Sequence, residues 1–383
     1  MDQVESQQSV KRSGGCLLGP ISFDCLPNWH NDDHVAAHSA FCRSAESMLK
    51  TPYNSPSNLV DQGKLIECAR RGMSLNSPSR QQAKRFFEDN FQPHAFGAFE
   101  QMDGFVTGYF EPELPAALEQ SEEFCVPLYG RPHDLIDIDD QNRPQQLDVS
   151  FQYGRRRNGL VEEYFDRGEI QNGALDGQGL ELVWLNDKTD AYFVHVQGSA
   201  RLALTDGTAV RIGFAAKSGH AYTSLGKVLC RQTGIPAEEM TADHLAKWMR
   251  TNPGVLNKFM AKNRSYIFFK IIKEGTIAGD GPIGAAQVPL TPGRSLAVDH
   301  AFHSYGIPVW VAAAEDLLDE GKEFARLMVA QDTGSVIVGA QRGDVFTGSG
   351  SVAGFCAGKI RSPASFALLV PSPRRGSKIP KIR

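Results

Sequence analysis

The stretch LMVAQDTGSVIV, residues 327–338, places an isolated carboxylate, Asp332, between two apolar runs. Its pattern predicts a strand that delivers Asp332 to a turn and a second strand that leaves the turn. The small residues after the acid, Thr333-Gly334-Ser335, let the backbone turn sharply and let a substrate come close. Two chemistries use such an acid: peptide cleavage by paired aspartates and glycan cleavage by a carboxylic acid. A turn aspartate that bonds its own backbone is the non-catalytic alternative.

The protease interpretation can be tested on the sequence itself. Aspartic proteases need two carboxylates that share one proton, and pepsin-like chains carry two Asp-Thr/Ser-Gly motifs. The sequence holds one such motif, near the end of 383 residues. Proteases with a single motif act as symmetric dimers of short chains, so the sequence disfavours this chemistry.

Composition sets the broad class. At 41.9 kDa the chain exceeds the size of a typical single core, which predicts two domains. The apolar content of 41% and charged content of 22% are typical of a globular protein in water, and no apolar run reaches the roughly 18 residues of a membrane span. The net charge is −4, and acidic and basic residues are interspersed, so the sequence shows no basic patch of the kind that binds nucleic acid. The exceptions are Arg155-Arg156-Arg157 and the basic residues of the tail, which indicate solvated segments or attraction to an anionic polymer or membrane surface.

The cysteines and the N-terminus bear on compartment. Seven cysteines form no Cys-x-x-Cys pair and no metal-ligand spacing, so structural zinc is not expected. Cys25, Cys42 and Cys68 would allow one disulfide in an oxidising compartment. Residues 1–20 are polar and lack the apolar centre of a signal peptide, so we expect a flexible segment there. Cys16 after two glycines is faintly similar to a lipoprotein cleavage site, but no apolar run precedes it.

Periodicity predicts helices first and short strands afterwards. The first ordered stretch, from about Ile21, is expected to be helical, with apolar residues recurring between Val35 and Leu49. Further helices are expected from Ser79 to Pro93, over 225–232 and 241–250, and a short one near 161–165. Asp206-Gly207 predicts a hairpin between 201–204 and 208–214. The remaining predicted strands are 105–110, 180–185, 191–197, 266–272, 296–298, 308–312, 326–330, 336–338 and 366–370.

Three aspartates stand where strands of the C-terminal third should end: Asp299, Asp332 and Asp344. The trio resembles the 3D domain, a double-psi β-barrel named for its three aspartates. In that family a second glycine usually follows the Asp-Thr-Gly turn, where this chain has Ser335.

Upstream motifs resemble the family of membrane-bound lytic murein transglycosylase A, also called MltA. They are Thr107-Gly108-Tyr109-Phe110-Glu111-Pro112, His195-Val196-Gln197-Gly198-Ser199, residues 216–222 with 225–227, and residues 265–270, where Arg264 replaces the usual proline. The resemblance covers about 105–370. It implies a mainly β fold with N-terminal helices (α+β), in which a smaller β-rich domain is inserted into the barrel and a cleft lies between the two. The predicted limits are 21–112 plus 263–371 for the helices and barrel, 113–262 for the insertion and 372–383 for a flexible basic tail.

The resemblance also implies a lytic exotransglycosylase, a carbon–oxygen lyase of peptidoglycan. Glycosidases ordinarily use two carboxylates. Here the C6 hydroxyl of N-acetylmuramic acid would attack its own anomeric carbon, so one acid suffices and a 1,6-anhydro sugar is formed. By family match Asp332 protonates the β-1,4 oxygen to N-acetylglucosamine and then acts as the base. A glycoside hydrolase, a non-catalytic wall-glycan-binding barrel and, less favoured, an aspartic protease are the alternatives.

The predicted site follows from the same match. Asp344 and Asp299 are supporting acids, Asp344 as the neighbour that raises the pKa of Asp332; a structural role is the alternative for each. The predicted substrate-binding residues are Thr107, Tyr109, Gln197, Gly198, Ser199, Lys217, His220 and Tyr222. No metal or cofactor is implied.

The expected partners are peptidoglycan strands and wall-remodelling proteins, and the expected state is a monomer that binds no nucleic acid. We expect it in the periplasm, associated with the outer membrane, although the sequence shows neither a signal peptide nor a lipid-attachment site.

Overall fold

A computed structural model describes residues 18–53, 59–237, 239–272, 281–318 and 321–372. The strands in these ranges are β1 Leu18–Pro20, β2 Phe91–Phe96, β3 Gly104–Glu111, β4 Glu113–Ala116, β5 Val126–Tyr129, β6 Leu135–Asp137, β7 Tyr153–Arg157, β8 Leu160–Glu162, β9 Glu181–Leu185, β10 Ser199–Leu204, β11 Ala209–Lys217, β12 Ile267–Ile272, β13 Ser295–Val298, β14 Pro308–Ala313, β15 Phe324–Asp332, β16 Arg342–Ser349 and β17 Arg361–Pro371. The helices are α1 His34–Lys50, α2 Gln62–Ser74, α3 Arg80–Asn90, α4 Arg167–Gln171, α5 Lys188–Gln197, α6 Leu225–Thr233, α7 Ala242–Thr251, α8 Leu256–Met260 and α9 Gly350–Lys359.

Six strands close into a barrel. The order is β17-β14-β15-β13-β16-β3, and β3 pairs back onto β17. Two of the pairings are parallel, β13 with β15 and β16 with β3, and the others are antiparallel. A closed ring removes the exposed edges that an open sheet would leave. The predicted β-barrel with N-terminal helices is confirmed.

The N-terminal helices cover one side of the barrel. Helix α1 begins at its N-cap Asp33 and α3 at Ser79, which forms a capping box with Gln82. Their buried faces join the barrel residues in one apolar core, in which Phe41 and Trp310 are fully buried. Arg294 in the turn before β13 makes a buried two-point ion pair with Asp32, at 2.8 and 2.9 Å. This pair ties the start of α1 to the barrel.

Three further sheets lie between β3 and β13. They are β12-β11-β10-β4, the pair β5-β9 and the meander β6-β7-β8. Strand β12 belongs to the first of these sheets and not to the barrel. The predicted boundary at residue 262 is therefore wrong for this strand, because the sheet of the inserted segment continues to Ile272; the other predicted limits stay predictions.

A buried ion pair joins this inserted segment to the barrel. Glu111, at the end of β3, is fully buried and lies 2.8 Å from Nε of Arg211 on β11. The Ser349 hydroxyl at the end of β16 donates to the same carboxylate at 2.7 Å. The pair sets the position of the inserted sheet beside the end of β3.

Four local predictions are wrong. The first helix begins at His34 and not near Ile21, because residues 21–33 form short 3-10 turns and bends, and Asp33 caps the helix. Residues 191–197 form helix α5 and not a strand, because Asp187 caps the N-terminus and Gly198, with φ of +79°, ends the helix. Residues 336–338 form no strand: Val336 and Val338 are 53% and 72% exposed, so the run has no sheet to join. Residues 161–165 are not helical, and Leu160–Glu162 form β8.

Several elements had no counterpart in the prediction: helices α2, α4, α8 and α9, and strands β1, β2 and β4–β8. Strand β2 includes Pro93, so α3 ends earlier, at Asn90. Proline is tolerated in β2 at the register opposite Leu369 of β17.

The cysteines in the described ranges, Cys25, Cys42, Cys68, Cys125, Cys230 and Cys356, are free thiols. Among the helices of these ranges, none combines the length and apolarity needed to cross a bilayer.

Candidate active site

Asp332 is the last residue of β15 and is half-buried. The backbone N–H of Ala285 donates to Oδ1 at 3.0 Å, and the Tyr109 hydroxyl donates to Oδ2 at 2.9 Å. Burial is the largest influence on this carboxyl and raises its pKa; the charge of Asp344 acts in the same direction, and the hydrogen bonds only partly oppose them. The net raised pKa is what an acid that donates a proton requires.

Tyr109 and Thr107 reach the site from β3. Residues two apart on a strand share a face, so both side chains lie on one side of β3. Burial, followed by the negative charge of Asp332, raises the pKa of Tyr109 well above its usual value. The phenol therefore stays protonated and serves as a donor.

Asp344 is held in a closed polar triangle. Thr107, opposite it in the parallel β3–β16 register, donates its hydroxyl to Oδ1, and the Arg342 guanidinium also contacts Oδ1. Nη2 of Arg342 donates to Oγ1 of Thr107 at 2.8 Å. The negative charge of Asp344 is therefore paired with an adjacent positive charge.

The two acids lie on either side of one strand. Ala297 of β13 pairs with Asp332 on β15 and with Asp344 on β16. Two strand spacings separate the backbones by about 9–10 Å. No hydrogen bond joins the two carboxylates in the described part of the chain, so they do not form a proton-sharing dyad.

The Asp299 carboxylate accepts hydrogen bonds from two backbone N–H groups. The N–H of Ala301 donates to Oδ1 at 3.0 Å and that of Gly339 donates to Oδ2 at 2.7 Å. The Thr333 hydroxyl donates to the Val298 carbonyl at 2.7 Å, directly beside this turn. These contacts match the structural alternative for Asp299, which fixes the loop that follows Asp332.

Gln197, Gly198 and Ser199 form the turn between α5 and β10. Oε1 of Gln197 accepts a hydrogen bond from the backbone N–H of Phe110 at 3.2 Å, next to Tyr109. A Cβ on Gly198 would meet nothing within 4 Å, so this position is open. Ser199 is buried as the first residue of β10. The structure thus brings this turn beside β3, the strand that carries Tyr109.

The other three predicted binding residues lie at or after the end of β11. The Lys217 side chain is half-buried and makes no hydrogen bond or ion pair within the described ranges, and burial lowers its pKa. His220 is buried, and its Nε2 lies 2.7 Å from the Tyr164 carbonyl. Burial raises the pKa of Tyr222, which lies near Arg167. Across the residues described, no hydrogen bond or ion pair links His220 or Tyr222 to Asp332.

Three site residues were not anticipated. Arg342 had a signal, because it stands two residues before Asp344 on a strand and hence on the same face. Ala285 had none, because its contact with Asp332 spans 47 residues. Tyr305 stacks on His300 with 4.2 Å between ring centroids, and burial, followed by the charge of Asp332, raises the pKa of its phenol to about 12.

Comparison with known proteins gives the same assignment by two routes. The MltA specific insert domain matches residues 105–270, and the 3D domain matches residues 294–370. A crystal structure of membrane-bound lytic murein transglycosylase from Agrobacterium tumefaciens is 37% identical, with a TM-score of 0.85 over 92% of this chain and 97% of that one. Escherichia coli MltA with bound chitohexaose, 23% identical, shares the fold with a TM-score of 0.63, over 92% of this chain and 90% of that one.

Curated sequences agree over a shorter span. Membrane-bound lytic murein transglycosylase A of Vibrio cholerae is 29% identical over 69% of this chain, and the alignment spans 65% of that protein. The fold is thus a 3D-type barrel with an MltA-specific insertion. The chain belongs to the family of membrane-bound lytic murein transglycosylase A.

Proposed function

We propose that the chain is a lytic transglycosylase that cleaves the β-1,4 bond between N-acetylmuramic acid and N-acetylglucosamine in peptidoglycan. The observation that carries the proposal is the environment of Asp332. It is a half-buried carboxyl with a raised pKa and a tyrosine donor, and its neighbouring acid is already paired with Arg342. A single acid of this kind suits a reaction whose nucleophile is supplied by the substrate.

In the first half-reaction, Asp332 is protonated and donates its proton to the glycosidic oxygen as the bond breaks. Burial and the charge of Asp344 favour the protonated form beforehand. After transfer, the Tyr109 hydroxyl and the Ala285 N–H stabilise the carboxylate that remains.

In the second half-reaction, that carboxylate takes the proton of the C6 hydroxyl while the C6 oxygen attacks the anomeric carbon. The C6–O–C1 bond forms, a 1,6-anhydromuramic end results, and Asp332 is protonated again. No water is consumed. The carboxylate of Asp344 also favours the positive charge that develops on the sugar ring.

Lys217 supplies the substrate contact that we propose for the anionic parts of murein. Its half-buried ammonium group lacks an acidic partner among the described residues. The lactyl group and the peptides of murein carry carboxylates, which would pair with it. A murein substrate implies a location on the outer side of the cytoplasmic membrane, and relatives named as membrane-bound support an association with a membrane, for which we propose the outer membrane.

Product analysis tests the proposal. Purified protein is incubated with murein sacculi, and the released fragments are analysed by mass spectrometry for the wild type and for Asp332→Asn. We expect anhydromuramic ends from the wild type and a loss of about a thousandfold or more in Asp332→Asn with binding retained. Reducing ends would show a hydrolase, and binding without cleavage by the wild type would show a wall-binding module. Release that pepstatin abolishes would indicate protease chemistry.

A further inference from the structure

A cavity of about 680 Å³ lies within the inserted segment and shares no residue with the acid cluster. Helices α4, α5 and α8 and strands β5 and β9 contribute to its wall. The volume is in the range of small-molecule sites. Neither the fold nor the proposed chemistry at Asp332 requires it.

The cavity is lined by a buried cation that no acid neutralises. Arg167, at the start of α4, is 3% exposed. Its Nε donates to the Asn263 carbonyl at 3.0 Å, and its Nη2 donates to the Ser265 carbonyl at 2.6 Å and to Nδ1 of His195 at 3.2 Å. Over the described ranges, Nη1 has no acceptor and no carboxylate pairs with the guanidinium. The guanidinium lies over the rings of Tyr192 and Tyr266, at 5.3 and 5.1 Å from their centroids, but these rings are not counter-ions. A buried charge without a counter-ion is costly, so a bound anion would stabilise this site.

Two neutral groups in the same wall lack a well-aligned hydrogen bond within the described ranges: the buried Tyr192 hydroxyl, which lies beside the side chains of Tyr222 and Asn263, and the buried Oε1 of Gln171. His195 does not supply a second positive charge, since burial and the charge of Arg167 hold its pKa well below the usual value. The cavity therefore presents an unpaired donor from Nη1 of Arg167 and an unpaired acceptor from Gln171, and the Tyr192 hydroxyl is a further donor in the same wall.

The lining also contains acids. Asp176 and Glu181 border the cavity near Tyr129, whose pKa is raised to about 12 by burial first and then by these two charges. A ligand that fits must offer a negative group to Arg167 and can offer a positive group to the acids.

We propose that this cavity is a binding site for a small zwitterion, an amino acid or the end of a short peptide, whose carboxylate pairs with Nη1 of Arg167 and accepts from the Tyr192 hydroxyl. Its amino group pairs with Asp176 and Glu181. The ligand can be free in solution or attached to a glycan strand. The site does not depend on the chemistry at Asp332.

Calorimetric titration tests the site with three probes: the dipeptide alanyl-alanine, its C-terminal amide and its N-acetyl form. We expect the dipeptide to bind and the amide to bind at least about tenfold more weakly, because the amide lacks the charge that Arg167 requires. The N-acetyl form should be weakened by a smaller factor, because the acids lie nearer to solvent. A disaccharide-linked peptide with the same free end distinguishes the sources: tighter binding than the free dipeptide supports murein peptides, and weaker binding supports a free ligand.

Variants separate binding from folding. Tyr192→Phe removes a hydroxyl that makes no well-aligned hydrogen bond, so the melting temperature should fall little while the dipeptide binds about tenfold more weakly. Arg167→Lys keeps the charge and should also weaken binding, although it disturbs the carbonyl contacts. Tyr164→Phe is the matched control, a buried tyrosine outside the cavity, and should leave affinity unchanged.

The proposal is overturned if the dipeptide shows no binding up to about 10 mM, if the amide binds as well as the acid, or if Tyr192→Phe leaves affinity unchanged. Asp332→Asn should bind the dipeptide normally, whatever its activity.

Discussion

Replacing Tyr109 with phenylalanine should move the pH dependence of cleavage to higher pH. The Tyr109 hydroxyl is the side-chain hydrogen-bond donor to Asp332, at 2.9 Å from Oδ2. A hydrogen bond to an ionised group contributes about 1.5–3 kcal/mol. The carboxylate of Asp332 loses about this much stabilisation relative to its protonated form, so the pKa of Asp332 rises further in the variant.

The sign follows from the role of the acid. Asp332 must be protonated to donate, and activity falls as the pH rises through its already raised pKa. In Tyr109→Phe the proton is retained to higher pH, so the alkaline limb of kcat/KM shifts upward. The rate on the plateau falls about tenfold, because a weaker acid transfers its proton less readily.

A second variant should shift the same limb in the opposite direction. Asp344→Asn removes a negative charge that raises the pKa of Asp332 and frees the Arg342 guanidinium beside it. Both changes favour the carboxylate, so the alkaline limb moves to lower pH. The matched control is Tyr164→Phe, which removes a tyrosine hydrogen bond of 3.1 Å to Asp134, remote from Asp332. The reasoning fails if the Tyr109 and Asp344 variants shift the limb in the same direction, or if the control shifts it as far as Tyr109→Phe does.

Three further results are expected. Asp32→Asn leaves Arg294 buried without its counter-ion and should lower the free energy of unfolding, measured in urea, by about 3–5 kcal/mol; a loss under about 1 kcal/mol contradicts this. Burial raises the pKa of Asp32, but Arg294 more than offsets it, so the folded pKa lies below the unfolded one. The wild type should therefore lose stability as the pH falls through the acid range, and this loss should be smaller in Asp32→Asn. Lys217→Met should raise KM for murein about tenfold and leave the affinity for chitohexaose, which lacks carboxylates, unchanged, whereas an equal loss for both ligands would argue against a carboxylate contact.

The local pattern around Asp332 correctly predicted the strand that precedes the turn but not the structure that follows it. An apolar run ending in an acid is a strand-end signal, and β15 ends at Asp332. The run at 336–338 has the same composition but lies in an exposed loop, because β13 and β14 already occupy both sides of β15. Strand formation depends on a free partner, which composition alone does not reveal.

The residues around Asp332 were predictable to different degrees, because some are marked by a motif and others only by tertiary contacts. Thr107 and Tyr109 came from the family motif, and the parallel register of β3 with β16 brings them to the acids. Helix α5 was mistaken for a strand because a short apolar run suits either element, and only the caps at Asp187 and Gly198 decide. The N–H of Ala285 reaches Asp332 through a tertiary contact with no local pattern.

The last described strand sets the order in which this molecule can be assembled. Strand β17 pairs with β14, β2 and β3, so the ring stays open until residues 361–371 are available. The Tyr109–Asp332 hydrogen bond joins residues 223 positions apart. A chain still being synthesised therefore carries its acid without the finished barrel around it. Under the proposed function, cleavage of the wall would begin only after β17 has been synthesised and has closed the barrel, which would protect the cell that makes the protein.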